Sequence, residues 1–486
     1  MIGRFLLRES IPPILLAGFL LTTLTGCMVG PNFQSPKVET PDQWSGVPQK
    51  GITTSCSEVI GWWTLFDDQQ LDSLIDRAVA SNLDLKLAEA RIREARALRG
   101  VVAADLFPTI DVSGTYSRTR RSGNATPVVG AGGGADFVAA NEQNLFETGF
   151  DASWEIDVFG RIRRRVEAAN ADIASAQWNR RDVLVILLSE VARNYLELRG
   201  TQKRITILRE NIELQRKSLD LTRGRLEAGL GNKLDVAQAE ALLTTTESQV
   251  PSLESFARQS IYRLGVLLGQ QPEALLPELV TEKPIPPVPP AVPIGLPSEL
   301  LRRRPDIRRA EMELAAATAR VGAATADLFP SFSLTGFLGL QSANIQDLVK
   351  GESLLWDVGP TVSWPVFDAG RIRSNIEVQN ARQEQALISY KSAVLTSLED
   401  VENALIAYAK EQQTRKSLMA AVDANRRAAD ISSALYAEGL VDFLNVLVSQ
   451  RALSQSQDEL VASDQRVSTN LVALFKALGG GWQTTE

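Results

Sequence analysis

Ala104-Asp105-Leu106-Phe107-Pro108 returns 222 residues later as Ala326-Asp327-Leu328-Phe329-Pro330. Trp154, Phe159-Gly160-Arg161-Ile162-Arg163 and Gly229 are then met by Trp364, Ala369-Gly370-Arg371-Ile372-Arg373 and Gly439 at a shift of 210. Leu268-Gly269 meets Leu478-Gly479 at the same shift. The offset changes by 12 residues between Pro108 and Trp154, where the first copy carries the longer loop. A spacing held over more than 100 residues marks an internal repeat. The chain reads as a tandem duplication, with one structural repeat over 71–271 and a second over 306–479. Between them, 272–305 holds 10 of the 22 prolines. The core of that linker, Pro284-Ile285-Pro286-Pro287-Val288-Pro289-Pro290, predicts an extended polyproline spacer.

Each copy has the same internal order. A helical segment comes first, at about 71–105 and 306–327. Two strands with period-two alternation follow. Ile110, Val112 and Tyr116 alternate with Asp111, Ser113 and Ser117, and Phe150, Ala152, Trp154, Ile156 and Val158 alternate with Asp151, Ser153, Glu155 and Asp157. Phe332, Leu334 and Leu338, then Val358, Val362, Trp364 and Val366, repeat the pattern in copy two. The strands are expected at about 108–120, 147–158, 331–340 and 355–366. Alternation over about 10 residues suits strands that are half-buried or that span a membrane.

Very long helices come next, since no proline falls between Val128 and Val250 or after Pro365. Gly160 to Leu226 is 67 residues, a rod of roughly 100 Å at about 1.5 Å per residue. Leu184, Leu188, Val191, Tyr195 and Leu198 form a heptad seam, and 210 residues on Val394, Leu398, Val401, Leu405 and Tyr408 keep its spacing. Such a seam packs against a neighbouring helix. Glycine-containing turns at 229–232 and 439–442 fold each rod back into a second helix ending near Gly269 or Gly479, and Pro251 predicts a kink in the first of these.

The composition removes whole classes of function. The 486 residues are 44% hydrophobic and 22% charged, and their net charge of -7 argues against broad nucleic-acid binding. With no histidine, Ser-His-Asp and Cys-His catalysis and His-ligated metals are excluded. Two cysteines cannot make a zinc site or a disulfide scaffold, and Cys56 is assigned no role. No metal and no cofactor is expected, and the carboxylates show no convincing acid/base pair. The chain does not read as an enzyme.

Arg4 and Arg8 precede an apolar run from Ile14 to Leu24, too short for a mature spanning helix, so residues 1–26 read as a signal peptide. The run closes on Leu24-Thr25-Gly26-Cys27, which resembles the bacterial lipobox. That resemblance implies a diacylated Cys27 at the head of an acylated segment, 27–70. The alternative is an ordinary secretion signal with an incidental cysteine. Two or three acyl chains anchor a protein durably. By the same resemblance, Met28 in place of an aspartate favours the outer membrane.

Four candidate membrane strands are too few to close a barrel, and an open edge in lipid leaves backbone groups unpaired. Small barrels begin at about eight strands. Two subunits would supply eight strands and three would supply 12, of which only the larger number leaves a lumen. The chain must therefore borrow strands from copies of itself, and its long helices, two pairs per chain, could continue the same cylinder below the membrane.

The full length of the chain resembles the outer-membrane factor family, the TolC-like exit ducts of tripartite efflux pumps, in its OprM/NodT-type lipoprotein branch. The residues that carry the resemblance are Cys27-Met28-Val29-Gly30-Pro31-Asn32-Phe33, Trp62-Trp63-Thr64-Leu65-Phe66-Asp67-Asp68, Leu300-Leu301-Arg302-Arg303-Arg304-Pro305-Asp306-Ile307 and Lys476-Ala477-Leu478-Gly479-Gly480-Gly481-Trp482. The resemblance implies an α+β membrane protein in the outer membrane of a Gram-negative bacterium: a homotrimer whose trimeric 12-stranded outer-membrane β-barrel, four strands per chain, is continued by a long periplasmic α-helical barrel. It implies docking to a periplasmic adaptor (membrane fusion) protein and, through it, to an inner-membrane proton-driven RND-type transporter.

It also implies sites. The helix tips at Gly229-Leu230 and Gly439-Leu440 would meet the adaptor, although a helix end alone explains both glycines. A periplasmic gate would use Tyr436, Leu444 and Arg451. Val448 stands where the family has an aspartate, so Arg451 needs another acceptor, such as Asp442 or Asp235. The plain alternative makes Leu444 helix core and Arg451 a solvated side chain. Gly130-Ala131-Gly132-Gly133-Gly134 lacks the Gly-Lys-Ser/Thr of a phosphate loop and reads as an external loop. Arg118, Arg120 and Arg121 flank the barrel near lipopolysaccharide phosphates or are solvated. Arg302-Arg303-Arg304 read as structural. The predicted function is a passive duct for small molecules, with a protein-secretion duct and a periplasmic tether without a pore as alternatives.

Overall fold

The computed structural model describes residues 28–45, 52–53, 60–120, 122, 142–288, 292–293 and 297–482. The signal peptide at 1–26, the lipidation candidate Cys27, Cys56, Arg121 and the glycine-rich stretch 130–134 lie outside the described residues. In chain order the principal elements are α1 (Gln69–Ser81), α2 (Leu83–Ala104), β1 (Thr109–Arg120), β2 (Glu142–Ile156), α3 (Arg161–Glu227), α4 (Lys233–Glu247), α5 (Val250–Leu267), α6 (Pro297–Arg303), α7 (Pro305–Ala326), β3 (Ser331–Ser342), β4 (Leu354–Ser363), α8 (Arg371–Ala437) and α9 (Phe443–Ala477). No described helix is long and apolar enough to cross a membrane.

Two compact units emerge, and each draws on both halves of the sequence. One comprises Met1–Ser35, Glu94–Ile173 and Met312–Leu387, and the other Pro36–Arg93, Ala174–Glu311 and Ile388–Glu486. The halves interleave because their strands share one sheet. β1, β2, β3 and β4 lie side by side in that order, all antiparallel, and β2 of the first half pairs with β3 of the second through Phe150 opposite Leu338.

In the sheet unit, the motifs that repeat at 222 and 210 become the same tie twice. The Trp154 indole N–H donates to the Leu106 carbonyl at 3.0 Å, and Trp364 donates to Leu328 at 3.0 Å. Each tryptophan thereby pins the end of one strand to the turn that starts its neighbour. β2 begins at Glu142, five residues before the expected 147. Its partner β1 runs to Arg120, and pairing continues to Arg120 opposite Glu142, where Arg118 and Glu142 form an ion pair at 2.6 Å.

The helical unit holds the core. Leu184, Leu188, Val191, Tyr195 and Leu198 are all buried, as are Val394, Val401, Leu405 and Tyr408, with Leu398 packed half-buried beside them. Burying each such side chain contributes about 1.5–3 kcal/mol, which explains how helices with almost no overall amphipathicity hold together along one seam. Trp62 stacks on Phe475 with ring centroids 5.2 Å apart. Asp68 caps α1 by accepting from the Gln70 and Leu71 amides, and it also takes the Tyr195 hydroxyl at 2.7 Å.

Three local departures have local causes. The helix expected over 71–105 divides at Asn82, whose Oδ1 accepts the Leu85 amide while its Nδ2 donates to the Leu267 carbonyl. The side chain thus caps α2 and ties it to α5. Where Pro251 predicts a kink, the returning helix is interrupted between α4 and α5: Ser248 and Gln249 stay right-handed but lie outside both helices, and the proline sits in the first turn of α5, where its missing N–H costs nothing. The proline-rich stretch carries neither helix nor strand at 284–288, but its start is helical at Pro272–Leu275 and Leu276–Leu279, and its end forms α6.

Candidate functional site

Two regions carry the features expected of a duct. The first is the sheet. Directly opposed residues share a face, and the register places the even-numbered positions of all four strands on one side. That side is apolar: Val112, Phe150, Leu338 and Trp356 run across it in one row. These side chains are exposed by 54–73% in the single chain. The odd-numbered side is polar, with Asp111, Glu147, Asp151 and Asp357 on it. Ser113 donates to Asp151 at 2.7 Å and Gln341 to Glu147 at 2.6 Å. Leu145, Phe337 and Leu355 are the large apolar exceptions on the polar side, and Phe337 has a place made for it. A Cβ added to Gly149 or Gly339 would come within 2.7 and 2.6 Å of its ring, so the glycines leave the floor on which it lies. β1 and β4 are the sheet's outer strands, each paired on one side only among the described residues.

The second region is the pair of helix tips, which lie in the helical unit. At the first, the Gly229 amide donates to the Leu226 carbonyl and the Leu230 amide to Arg225. At the second, Gly439 donates to Tyr436 and Leu440 to Leu435. Both form the two-bond Schellman arrangement, with glycine left-handed at φ 69° and 77°. Leu230 and Leu440 stand 70% and 66% exposed at the apices. After each tip Asn232 or Asp442 occupies the helix N-cap, but only Asn232 bonds through its side chain, to the Asp235 amide.

The predicted gate residues separate. Tyr436 is buried, edge-on to Phe443 at 5.3 Å, and its hydroxyl has no hydrogen-bond partner among the described residues. Leu444 and Val448 are more than half exposed on α9, and Arg451 is exposed with no described partner, Asp442 and Asp235 included. Sequence reasoning missed Arg225. Its guanidinium lies 4.9 Å from the Tyr436 ring and donates to the Tyr436 and Ala437 carbonyls at 2.8 and 3.1 Å. The first rod's last turn thereby satisfies carbonyls at the C-terminus of the second, where the helix dipole favours a cation. The signal available was an arginine near a helix end, which is too common to single out.

The structural motifs of the linker end resolve plainly. Arg304 pairs with Asp306 at 2.7 Å and Asp400 at 3.0 Å and donates to the Ala477 carbonyl, so it joins α7, α8 and α9. Nearby, burial raises the Asp182 carboxyl, reinforced by Asp306 and opposed by Arg309 and Arg304. Among the described residues no cluster of three or more His, Cys, Asp or Glu side chains could hold a metal.

A sheet with one bare apolar face and one polar face, carried on long helices, belongs to the class of membrane-spanning channel proteins. The profile of the family described as outer membrane efflux protein matches residues 74–270 and 296–480, and the chain belongs to that family. It is 32% identical over 470 residues to nodulation protein T of Rhizobium leguminosarum bv. viciae, covering 96% of this chain and 93% of that one. It is 30% identical over 469 residues to the cation efflux system protein CusC of Escherichia coli K12, covering 94% and 97%. The outer-membrane channel OprN has a similar solved structure, with a TM-score of 0.87, 37% identity, and coverage of 94% of this chain and 100% of that one.

Proposed function

We propose that this protein is the outer-membrane exit duct of a tripartite, RND-type efflux pump, conducting small molecules passively from a periplasmic adaptor and an inner-membrane transporter to the exterior. The observation that carries the reading is the four-stranded sheet with a continuous exposed apolar face, a polar opposite face and two open edges. In lipid such edges must find partners, and further copies of the same sheet supply them. Three chains close 12 strands with the apolar rows outward and the carboxylates facing a watery lumen. The long helices of three chains extend the duct through the periplasm.

Cys27 carries the lipid in this reading. Leu230 and Leu440, with Gly229 and Gly439, offer the adaptor two similar apolar tips. Tyr436, Leu444 and Arg451 guard the mouth, with Val448 making an apolar contact where an acidic latch is absent. Arg451, Leu444 and Val448 look for partners on a neighbouring subunit. The cargo meets few differential contacts in a broad pore, so selectivity belongs to the pump partners.

The mass of the native detergent-extracted particle tests the reading, with detergent subtracted. Three copies and a conducting pore in planar bilayers are expected. A stable monomer would sink the shared barrel and leave a tether without a pore.

A further inference from the structure

We propose that residues Met28–Asn32 form the seat of the lipid anchor, locking it to the base of the strands so that acyl chains and barrel enter one leaflet in fixed register. The inference rests on the reading of Cys27 as the acylated N-terminus. Its centre is Arg164, in the first turn of α3, whose side chain is 1% exposed. Nε donates to the Val29 carbonyl at 3.1 Å, and Nη2 to the Gly30 carbonyl at 3.3 Å and to Asn32 Oδ1 at 2.8 Å. Glu167 takes Nη1 at 2.8 Å. A buried guanidinium is costly unless it is paired and its donors are used, and three of these four bonds go to the N-terminal segment. The segment is therefore part of the fold here, not a loose leader.

Three glycines shape the seat. Gly30 has φ +86°, and a Cβ on it would lie 2.5 Å from the Gly322 Cα. A Cβ on Gly322 would meet the Arg164 side chain at 2.8–3.1 Å, and one on Gly160 would meet Met28 at 2.6 Å. The Val29 amide donates to the Phe159 carbonyl at 3.2 Å. Met28 thus packs at the junction between the end of β2 and the start of α3. Cys27 precedes it by one peptide, a Cα step of about 3.8 Å. Lipid on that cysteine would enter the bilayer next to the seat that holds Met28.

Gly322→Ala and Arg164→Met test the seat in the full acylated chain. Alanine improves helix propensity at 322, so any loss it causes comes from the seat. In the native particle, amide exchange in a peptide covering 28–35 is expected to be slow and to accelerate at least about tenfold in both variants. Peptides from the seam at 184–198 should not change. Arg199→Met, which removes an equally buried arginine remote in sequence from the tail, should leave the 28–35 peptide protected. Both seat variants are expected to keep the lipid on Cys27 but to lose several-fold in protease-resistant, membrane-inserted barrel. Free-peptide exchange of 28–35 in the native particle, or unchanged exchange and insertion in both variants, would overturn the proposal. Absence of lipid on Cys27 in the native protein would overturn the anchor reading on which it rests, whatever the tail's exchange.

Discussion

α3 and α8 are both 67 residues long, start 210 residues apart, and open on Arg-Ile-Arg after a left-handed glycine, yet they are held at different places. At its base α3 is bound: Met28 covers Gly160, Arg164 is buried, and Asp157 accepts the Ile162 and Arg163 amides. The base of α8 is open. Nothing lies within 4 Å of a Cβ on Gly370, Arg371 and Arg373 are exposed, and a half-buried Asp368 accepts the Gly370 and Ile372 amides. At the tips the order reverses. Gly229 after α3 is uncovered, whereas the Arg225 guanidinium lies over Gly439 after α8. Two similar sequences have thus kept their helices and divided their anchoring. The bare ends are the base of α8 and the tip after α3.

The largest effect should come from the bases. Gly160→Ala and Gly370→Ala both force alanine into the left-handed region, at about 1–2 kcal/mol. Only at Gly160 does the new methyl also collide with a neighbour, adding overpacking of about 1–3 kcal/mol. Thermal unfolding of the native particle should therefore show a clearly greater loss for Gly160→Ala. Equal losses would mean that a subunit neighbour covers Gly370 as tightly as Met28 covers Gly160, which would erase the asymmetry.

Next comes the clasp. Arg225→Met keeps much of the side chain's length but removes two donors to helix-end carbonyls and the charge over Tyr436. A loss of about 1–2 kcal/mol is expected. It should be local, with faster amide exchange around 435–442 and little change at 226–232. In planar bilayers the variant should conduct more than the native channel. Unchanged exchange at the second tip would show that the clasp does not hold it.

The caps should separate the bases again on a smaller scale. Asp157→Ala should cost about 1 kcal/mol, because its side chain is only 9% exposed and also pairs with Arg163; Asp368→Ala should cost less, because the base of α8 is open. The Ile372 amide first, then Gly370 and Arg371, hold the Asp368 carboxyl below its ordinary range against the opposing desolvation penalty. A lowered folded-state value means that its contribution is present at neutral pH and is lost as pH falls through the carboxylate range. Asp368→Ala should flatten the acid limb of the thermal-stability profile, and an unaltered limb would show that the cap carries no such linkage.

Much of this architecture is legible in the sequence because it is periodic. The strands show period two, the seam at Leu184–Leu198 shows heptads, and the repeated Trp154 and Trp364 mark the same tie. What escapes is everything set by contacts between distant residues. Asn82 reads as an ordinary polar residue within a helical pattern until its amide meets Leu267, 185 positions away. Arg164 and Arg225 look like two more arginines on a polar helix, because only the fold brings a tail or a second tip against them. The compact units cut across both repeats for the same reason: pairing of β2 with β3 is a long-range choice that neither half encodes alone.

Tyr436→Phe should have the smallest effect on the folded chain and the sharpest meaning. The ring packs on Phe443 and under Arg225, and phenylalanine preserves both contacts. The hydroxyl is buried without a described partner, so removing it relieves a desolvated polar atom instead of breaking a bond. Stability should stay within about 0.5 kcal/mol of the native value or rise slightly. Stability unchanged but conductance raised would give the hydroxyl a part in the gate. If neither changes, the hydroxyl leaves the gate, and Tyr436 serves the mouth only as the surface on which Arg225 rests.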